Sequence, residues 1–299
     1  MIQIHEKLRP FAHRPGTPCL VPGSAWVVEP FPALLRVLGM GDFPIGLTGP
    51  VREFTVQMDL EKECVWVWGK AVEGYFRYAL QANGDGLSLF LDRAPGPIRI
   101  GDAVVAPKSS QMLARGGLWL EKKPLFERIS LGRTAAQNVE RFRCELDLAE
   151  IAPILFVLGQ KVPAAPCALA EENLTALFLG AFSGLFVPQL EDPLHQGIPL
   201  QLAECKDPLS LLPAIYAKIR SWLLDGDRVL PVLPRTWEAG RAVGFRTPHG
   251  LLDLEWRKHS IYRMVLHSET APEFVFQPHA RTFRRRLENG ATHFDRFQK

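Results

Sequence analysis

The hydrophobic period changes along the chain, and each change predicts a different kind of structure. From Val51 apolar positions recur every second residue: VREFTVQMD, CVWVWGKAV, YFRYALQA and LSLFLDR alternate apolar with polar side chains. A period of two belongs to a half-buried strand, whose successive side chains point to opposite faces of a sheet. Between YFRYALQA and LSLFLDR stands Asn83-Gly84-Asp85-Gly86, a hairpin signal because Asn and Gly tolerate positive φ. PIRIGDAVVAP predicts a further pair turning at Gly101-Asp102, and GLWLEKK and LFERISLG continue the alternation. Residues 51–134 are therefore expected to form an antiparallel β-sandwich.

Residues 135–226 read as helical. LAEIAPILFVLGQ follows Asp147 as a cap, tolerates Pro153 in its first turns and meets Gly159 near its end. AEENLTALFLGAFSGLF predicts a second helix with two glutamates at the positive end of its dipole. In DPLSLLPAIYAKIRSWLLDGD, Asp207 caps, Pro208 takes the first helical position and Gly226 marks the exit. Residues 227–299 return to short alternating strands (RVLPVL, RAVGFRT, LLDLEW, IYRMVLHS, EFVFQ) and end in a basic tail expected at the surface. Residues 1–50 alternate prolines with short apolar runs. They predict an extended lead-in with little regular structure and one short helix around residues 31–38. The expected class is α+β and mainly antiparallel β: an N-terminal β-sandwich, a helical middle segment and a small C-terminal β unit packed into one body.

Composition narrows the function classes. The chain has 299 residues with 47% hydrophobic and 22% charged side chains, an ordinary globular balance. Its 35 basic and 32 acidic residues leave a net charge of +3, too even for nucleic acid or an anionic membrane as the main partner. The N-terminal residues lack the apolar core of a secretory signal. The most apolar stretch, residues 174–187, is interrupted by Gly180, Ser183 and Gly184 and falls short of the roughly 20 residues of a membrane span. Cys19, Cys64, Cys144, Cys167 and Cys205 are scattered without a CxxC pair, so no disulfide framework or zinc knuckle is indicated. A cytoplasmic protein with idle thiols is the expectation.

One constellation is more specific. Pro231, Pro234, Trp237, Gly240, Gly244, Arg246, Gly250, Asp253 and Trp256 follow a helix end in fixed order within residues 219–256. This order resembles the entry to the C-terminal β-domain of family-95-type glycoside hydrolases, the α-L-fucosidase group. There a helix ending is followed by a Gly, LLPALP, a Trp, a Gly, GLRARGG and a V-D-x-x-W strand. The chain departs from that pattern at Pro248-His249-Gly250, where the group has a GG doublet. It also has only about ninety residues of expected helix against a catalytic barrel of several hundred. No acid or base position aligns, so the catalytic residues stay unknown. The resemblance implies a shared scaffold and a non-catalytic carbohydrate-associated binding protein. The alternatives are a structural or protein-interaction role, with oligomeric state open, and a small glycosidase with two carboxyl groups about 5–10 Å apart.

The candidate ligand-binding residues are Trp66, Trp68, Trp237, Arg246, Asp253 and Trp256. Trp66 and Trp68 share one face of a strand. A buried sandwich face is the expectation for them, and an exposed aromatic platform for a sugar or a peptide is the alternative. Trp237 and Trp256 read as core residues at a helix–sheet junction, or as sugar-stacking planes. Arg246 and Asp253 could pair across neighbouring strands and fix register. Asp92, Glu121, Glu127 and Asp253 are read as solvated carboxylates. His249, His259, His267 and His279 follow no ligand spacing, so no metal is expected. The arginines of residues 281–286, with Phe283 among them, read as a solvated face able to meet phosphate or an acidic partner. No phosphate loop, dinucleotide fingerprint or nucleophile elbow occurs, and no cofactor is indicated.

Overall fold

Each alternating run between Val51 and Arg93 becomes a strand in the computed structural model, which describes residues 2–121, 126–131, 148–163, 167–169, 174–185, 207–268, 273–278, 283–286 and 290–294. The lead-in contains β1 (Phe11–Ala12), β2 (Cys19–Leu20), β3 (Val27–Phe31), β4 (Leu34–Val37) and β5 (Gly41–Pro44). After it come β6 (Arg52–Asp59), β7 (Cys64–Ala71), β8 (Gly74–Asn83), β9 (Gly86–Arg93), β10 (Ile98–Ile100), β11 (Ala103–Val105) and β12 (Ser109–Arg115). The hairpin runs β6 to β9, with β1 and β12 at the edges, make an antiparallel sheet in the order β1-β6-β7-β8-β9-β12. The Asn83 turn forms as read: its Oδ1 accepts the backbone N–H groups of Asp85 at 3.0 Å and Gly86 at 3.2 Å. Gly101-Asp102 likewise joins β10 to β11.

The lead-in departs from expectation. Residues 31–38 form no helix; β3 and β4 pair antiparallel with Phe31 opposite Leu34, turning through Pro32 and Ala33. Leu35 and Val37 are buried while Leu34 and Arg36 are half-buried, so period two governs this run as well. Proline makes the turn rather than preventing strands, because its fixed φ suits the first turn position. Strands β2 to β5 form their own sheet. Cys19, Leu20, Val28, Leu35 and Val37 from it join Val56, Val65, Val67, Leu80 and Leu89 of the six-stranded sheet in one core. Burial in that core pushes the Cys19 thiol pKa well up, which favours an inert thiol.

Beyond β12, β13 (Arg128–Ser130) precedes α1 (Leu148–Gly159), α2 (Leu174–Ser183) and α3 (Pro208–Leu223). Residues 151–158 of α1 are buried on every side, as a helix without a polar face must be. Helix α3 buries Leu212, Ile215, Ile219 and Leu223, the spacing of one helical face. Asp207 caps α3 by accepting the Ser210 N–H at 3.2 Å, and Pro208 opens it. The Ser210 hydroxyl and N–H both stabilise the Asp207 carboxylate and lower its pKa. Asp147 and the two glutamates expected at the start of α2 lie outside the described residues.

The C-terminal part contains β14 (Leu224–Asp225), β15 (Arg228–Val229), β16 (Ala239–Thr247), β17 (Gly250–Arg257), β18 (Ser260–Ser268), β19 (Glu273–Pro278), β20 (Phe283–Arg286) and β21 (Gly290–Phe294). The larger sheet runs β13-β16-β17-β18-β21. Its edge strand β13 comes from the N-terminal half, Arg128 lying opposite Val243. The basic tail is not merely a surface extension: β20 pairs with β19, and β21 pairs with β18. Thr292 and Phe294 alternate inward, which explains why β21 docks. The result is a mainly-β α+β fold. Among the described residues no helix is long and apolar enough to cross a membrane.

Candidate functional site

The register of the six-stranded sheet aligns side chains across its outward face. Phe11, Gln57, Trp66, Ala79, Phe90 and Ser110 are successive cross-strand neighbours from β1 to β12. Trp68 lies two residues along β7 and so on the same face, between Thr55 and Arg77. Val65 and Val67 are fully buried while Trp66 and Trp68 remain half-buried. The expectation of a buried face for this pair is thereby corrected: the valines take the core and the tryptophans face outward.

Charged groups lie over one of the two indoles, Trp66, and an ion-pair network extends from them. The Arg77 guanidinium lies 5.0 Å from the Trp66 ring centroid and Lys62 Nζ 5.8 Å from it. Such contacts are each worth about 0.5–1 kcal/mol at exposed sites. Arg77 Nε donates to Asp92 Oδ2 at 2.6 Å, Lys108 Nζ donates to Asp92 Oδ1 at 2.6 Å, and Arg93 approaches the same carboxylate at 3.8 Å. Burial alone would raise the pKa of Asp92, but hydrogen bonds and charge from Lys108 and Arg77 hold it below the ordinary value. No ring or cation is stacked on Trp68 among the described residues. Apolar planes two residues apart, flanked by an immobilised guanidinium, ammonium and carboxylate, suit a ligand with a flat C–H face and polar edges.

The C-terminal constellation is built differently. Trp237 and Trp256 are 1% and 0% exposed. Trp256 Nε1 donates to the Trp237 carbonyl at 2.9 Å, and Trp237 meets Trp222 edge-on at 5.4 Å. Gly240 lies opposite Trp256, and a Cβ there would fall 2.2 Å from the indole ring. Both are core residues, and neither offers a face to a ligand. The expected Arg246–Asp253 pairing is also corrected, since the register sets Arg246 opposite Leu251. Asp253 instead pins a bulge: Gly244, at φ 74°, turns its N–H onto Asp253 Oδ1 at 2.9 Å. Asp253 Oδ2 meets His267 Nε2 at 3.1 Å.

Of the four carboxylates read as solvated, only Glu121 is exposed; Asp92, Glu127 and Asp253 are buried. Glu127 is the centre of a joint that sequence reasoning missed. Its Oε2 accepts the Tyr216 hydroxyl at 2.8 Å and Arg220 Nε at 3.0 Å, and its Oε1 accepts the Arg246 N–H at 2.8 Å. Gln160 brackets the Glu127 main chain, accepting its N–H and donating to its carbonyl, both at 2.9 Å. Burial, and then the Glu127 charge, pushes the Tyr216 phenol pKa well up. Beside the joint lies a cavity of about 350 Å³ lined by Glu63, Phe126, Glu127, Lys161, Tyr216 and Arg246. Lys161 donates to Glu63 at 2.7 Å and sits 4.3 Å from the Phe126 ring. With both oxygens engaged, Glu127 serves as a fastener between β13, α3 and β16. The trace in sequence is parity: Glu127 shares the inward phase of Ile129. A larger open groove of about 740 Å³ runs along β12, with Asp42, Phe43, Arg99, Asp102, Gln111 and Met112 in its walls.

His267 pairs with Asp253, His259 Nε2 lies 3.0 Å from the Arg235 carbonyl, and His249 Nε2 lies 3.8 Å from Asp227. Among the described residues no group of three or more ligating side chains forms a metal site. His279 and Arg281 lie outside the described residues. The chain matches no protein-family model, and it matches no curated protein.

Proposed function

We propose that the protein is a non-catalytic carbohydrate-binding protein whose ligand lies on the outward face of the six-stranded sheet, over Trp68 and Trp66. The observation that carries this reading is the outward, half-buried pair beside the Arg77–Asp92–Lys108 network. A pyranose presents a C–H face to an indole and hydroxyl groups to fixed donors and acceptors at its rim. The scaffold is read as akin to the C-terminal β-domain of family-95-type glycoside hydrolases. In support, Gly240 makes room for Trp256, and Asp253 pins the bulge at Gly244. Titration calorimetry against neutral and acidic oligosaccharides tests the reading. A millimolar or tighter dissociation constant that disappears in Trp68→Ala and Trp66→Ala, both still folded, is the expected result. Binding unchanged in both variants, or no saccharide binding at all, overturns it.

A further inference from the structure

Resting on that reading, we infer that the glycan taken by this face is acidic, carrying carboxylate or sulfate groups. Lys62 and Arg77 lie over Trp66, and Arg77, Lys108 and Arg93 converge on one carboxylate, Asp92. Lys62 forms no ion pair among the described residues, and its ammonium lies over the aromatic ring. The other ion pairs of the face, Arg9 with Asp59 and Lys70 with Glu53, are balanced. The excess positive charge is therefore local to the aromatic pair. Trp66 already carries cations on its ring while Trp68 carries none, which divides the labour. The sugar ring stacks on Trp68, and its acidic substituent meets Lys62 and Arg77 above Trp66. The two indoles are about 6.6 Å apart along the strand, the scale of one sugar step. A phosphodiester strand fits less well, since its charge recurs at every nucleotide and calls for a longer basic track than this one.

The test measures tryptophan quenching and calorimetric affinity of the full chain with four probes: a galacturonate hexamer, a sulfated hexasaccharide, a neutral glucose hexamer and a single-stranded DNA oligonucleotide. At low salt the acidic saccharides bind about tenfold tighter than the neutral one, and raising salt from about 50 to about 500 mM removes most of that difference. Lys62→Gln weakens acidic binding about threefold and Lys62→Gln with Lys108→Gln about tenfold, each more than it weakens neutral binding. The relative affinity for uronate and sulfate names the acid. Equal affinity for neutral and acidic hexamers, insensitive to salt and to Lys62→Gln, overturns the acidic assignment while glycan binding stands. Binding of no saccharide, or of the oligonucleotide alone, overturns both. Lys62 is exposed and Lys108 keeps 68% of its side chain in solvent, so both variants fold, and matched thermal unfolding verifies this.

Discussion

The chain has two tryptophan pairs that its sequence presents in much the same way, in or next to alternating strands and near charged residues. Trp66 and Trp68 lie on one strand and point outward, with Arg77 and Lys62 near one ring. Trp237 and Trp256 lie nineteen residues apart, are buried, and are tied together by the Trp256 Nε1–Trp237 carbonyl bond. What separates them is the neighbour across the ladder. Trp256 faces Gly240, whose missing Cβ lets the indole sink against the β13 edge. Trp66 faces Gln57 and Ala79 in a sheet whose other face already holds the core. Strand alternation says that two faces differ; the cross-strand partner decides which one is closed.

Breaking the buried pair carries the largest effect. Trp256→Ala removes a fully enclosed side chain and a hydrogen bond, and costs about 4 kcal/mol of stability in urea unfolding. Gly240→Ala is the sharper test, because it adds one methyl group and removes nothing. The new Cβ meets Trp256 at 2.2 Å and the Ser130 carbonyl at 2.7 Å. Overpacking of this kind costs about 2–3 kcal/mol. A near-neutral Gly240→Ala would mean that the indole does not lie on that glycine.

The Glu127 joint comes next, since it supports the sheet that holds the buried pair. Glu127→Ala strands the Arg220 guanidinium and the Arg246 N–H, and costs about 3 kcal/mol. Tyr216→Phe removes one donor and costs about 1 kcal/mol. Equal losses for the two variants would show that the carboxylate is held by Tyr216 alone.

On the outward side, Asp92 gives a pH test. Its folded pKa is depressed, so its contribution is present above the unfolded carboxylate value and is lost as pH falls through the folded one. Asp92→Asn therefore costs about 1–2 kcal/mol at pH 7, discounted for the exposure of its partners. The gap between wild type and variant narrows from about pH 4 downward. A gap that stays constant to pH 2 would remove the charge of Asp92 from the account.

Local chemistry explains what could be read beforehand. The Asn83 turn, the Asp207–Pro208 helix start and the strands of period two between Val51 and Arg93 depend on residues close in sequence, and each forms. GLWLEKK also alternates but makes no strand: its described residues carry only an isolated bridge from Trp119 to Ser24. The lead-in strands are not legible because prolines repeated among short apolar runs read as breaks in regular structure, although Pro32 makes a turn between two short strands. The outward placing of Trp66 was not legible, since both phases of CVWVW are apolar and alternation cannot choose between two apolar faces. Glu127 and Arg220 are 93 residues apart, and no local spacing announces such a pair. Asp253 showed its strand but not its partner, which a bulge at Gly244 selects.

The smaller effect belongs to the outward pair, and there the comparison turns from stability to binding. Trp68 is half-buried, with no ring or cation stacked on it among the described residues, so Trp68→Ala costs about 1–2 kcal/mol, well below Trp256→Ala. Trp66→Ala costs about 1 kcal/mol more, because Arg77 and Lys62 lose the ring beneath them. Thermal unfolding of the two single variants measures the difference. A stability loss near that of Trp256→Ala would make Trp68 a core residue and take the platform away. A small loss in both, with saccharide affinity abolished, separates a residue that holds the fold from one that the fold holds out to solvent.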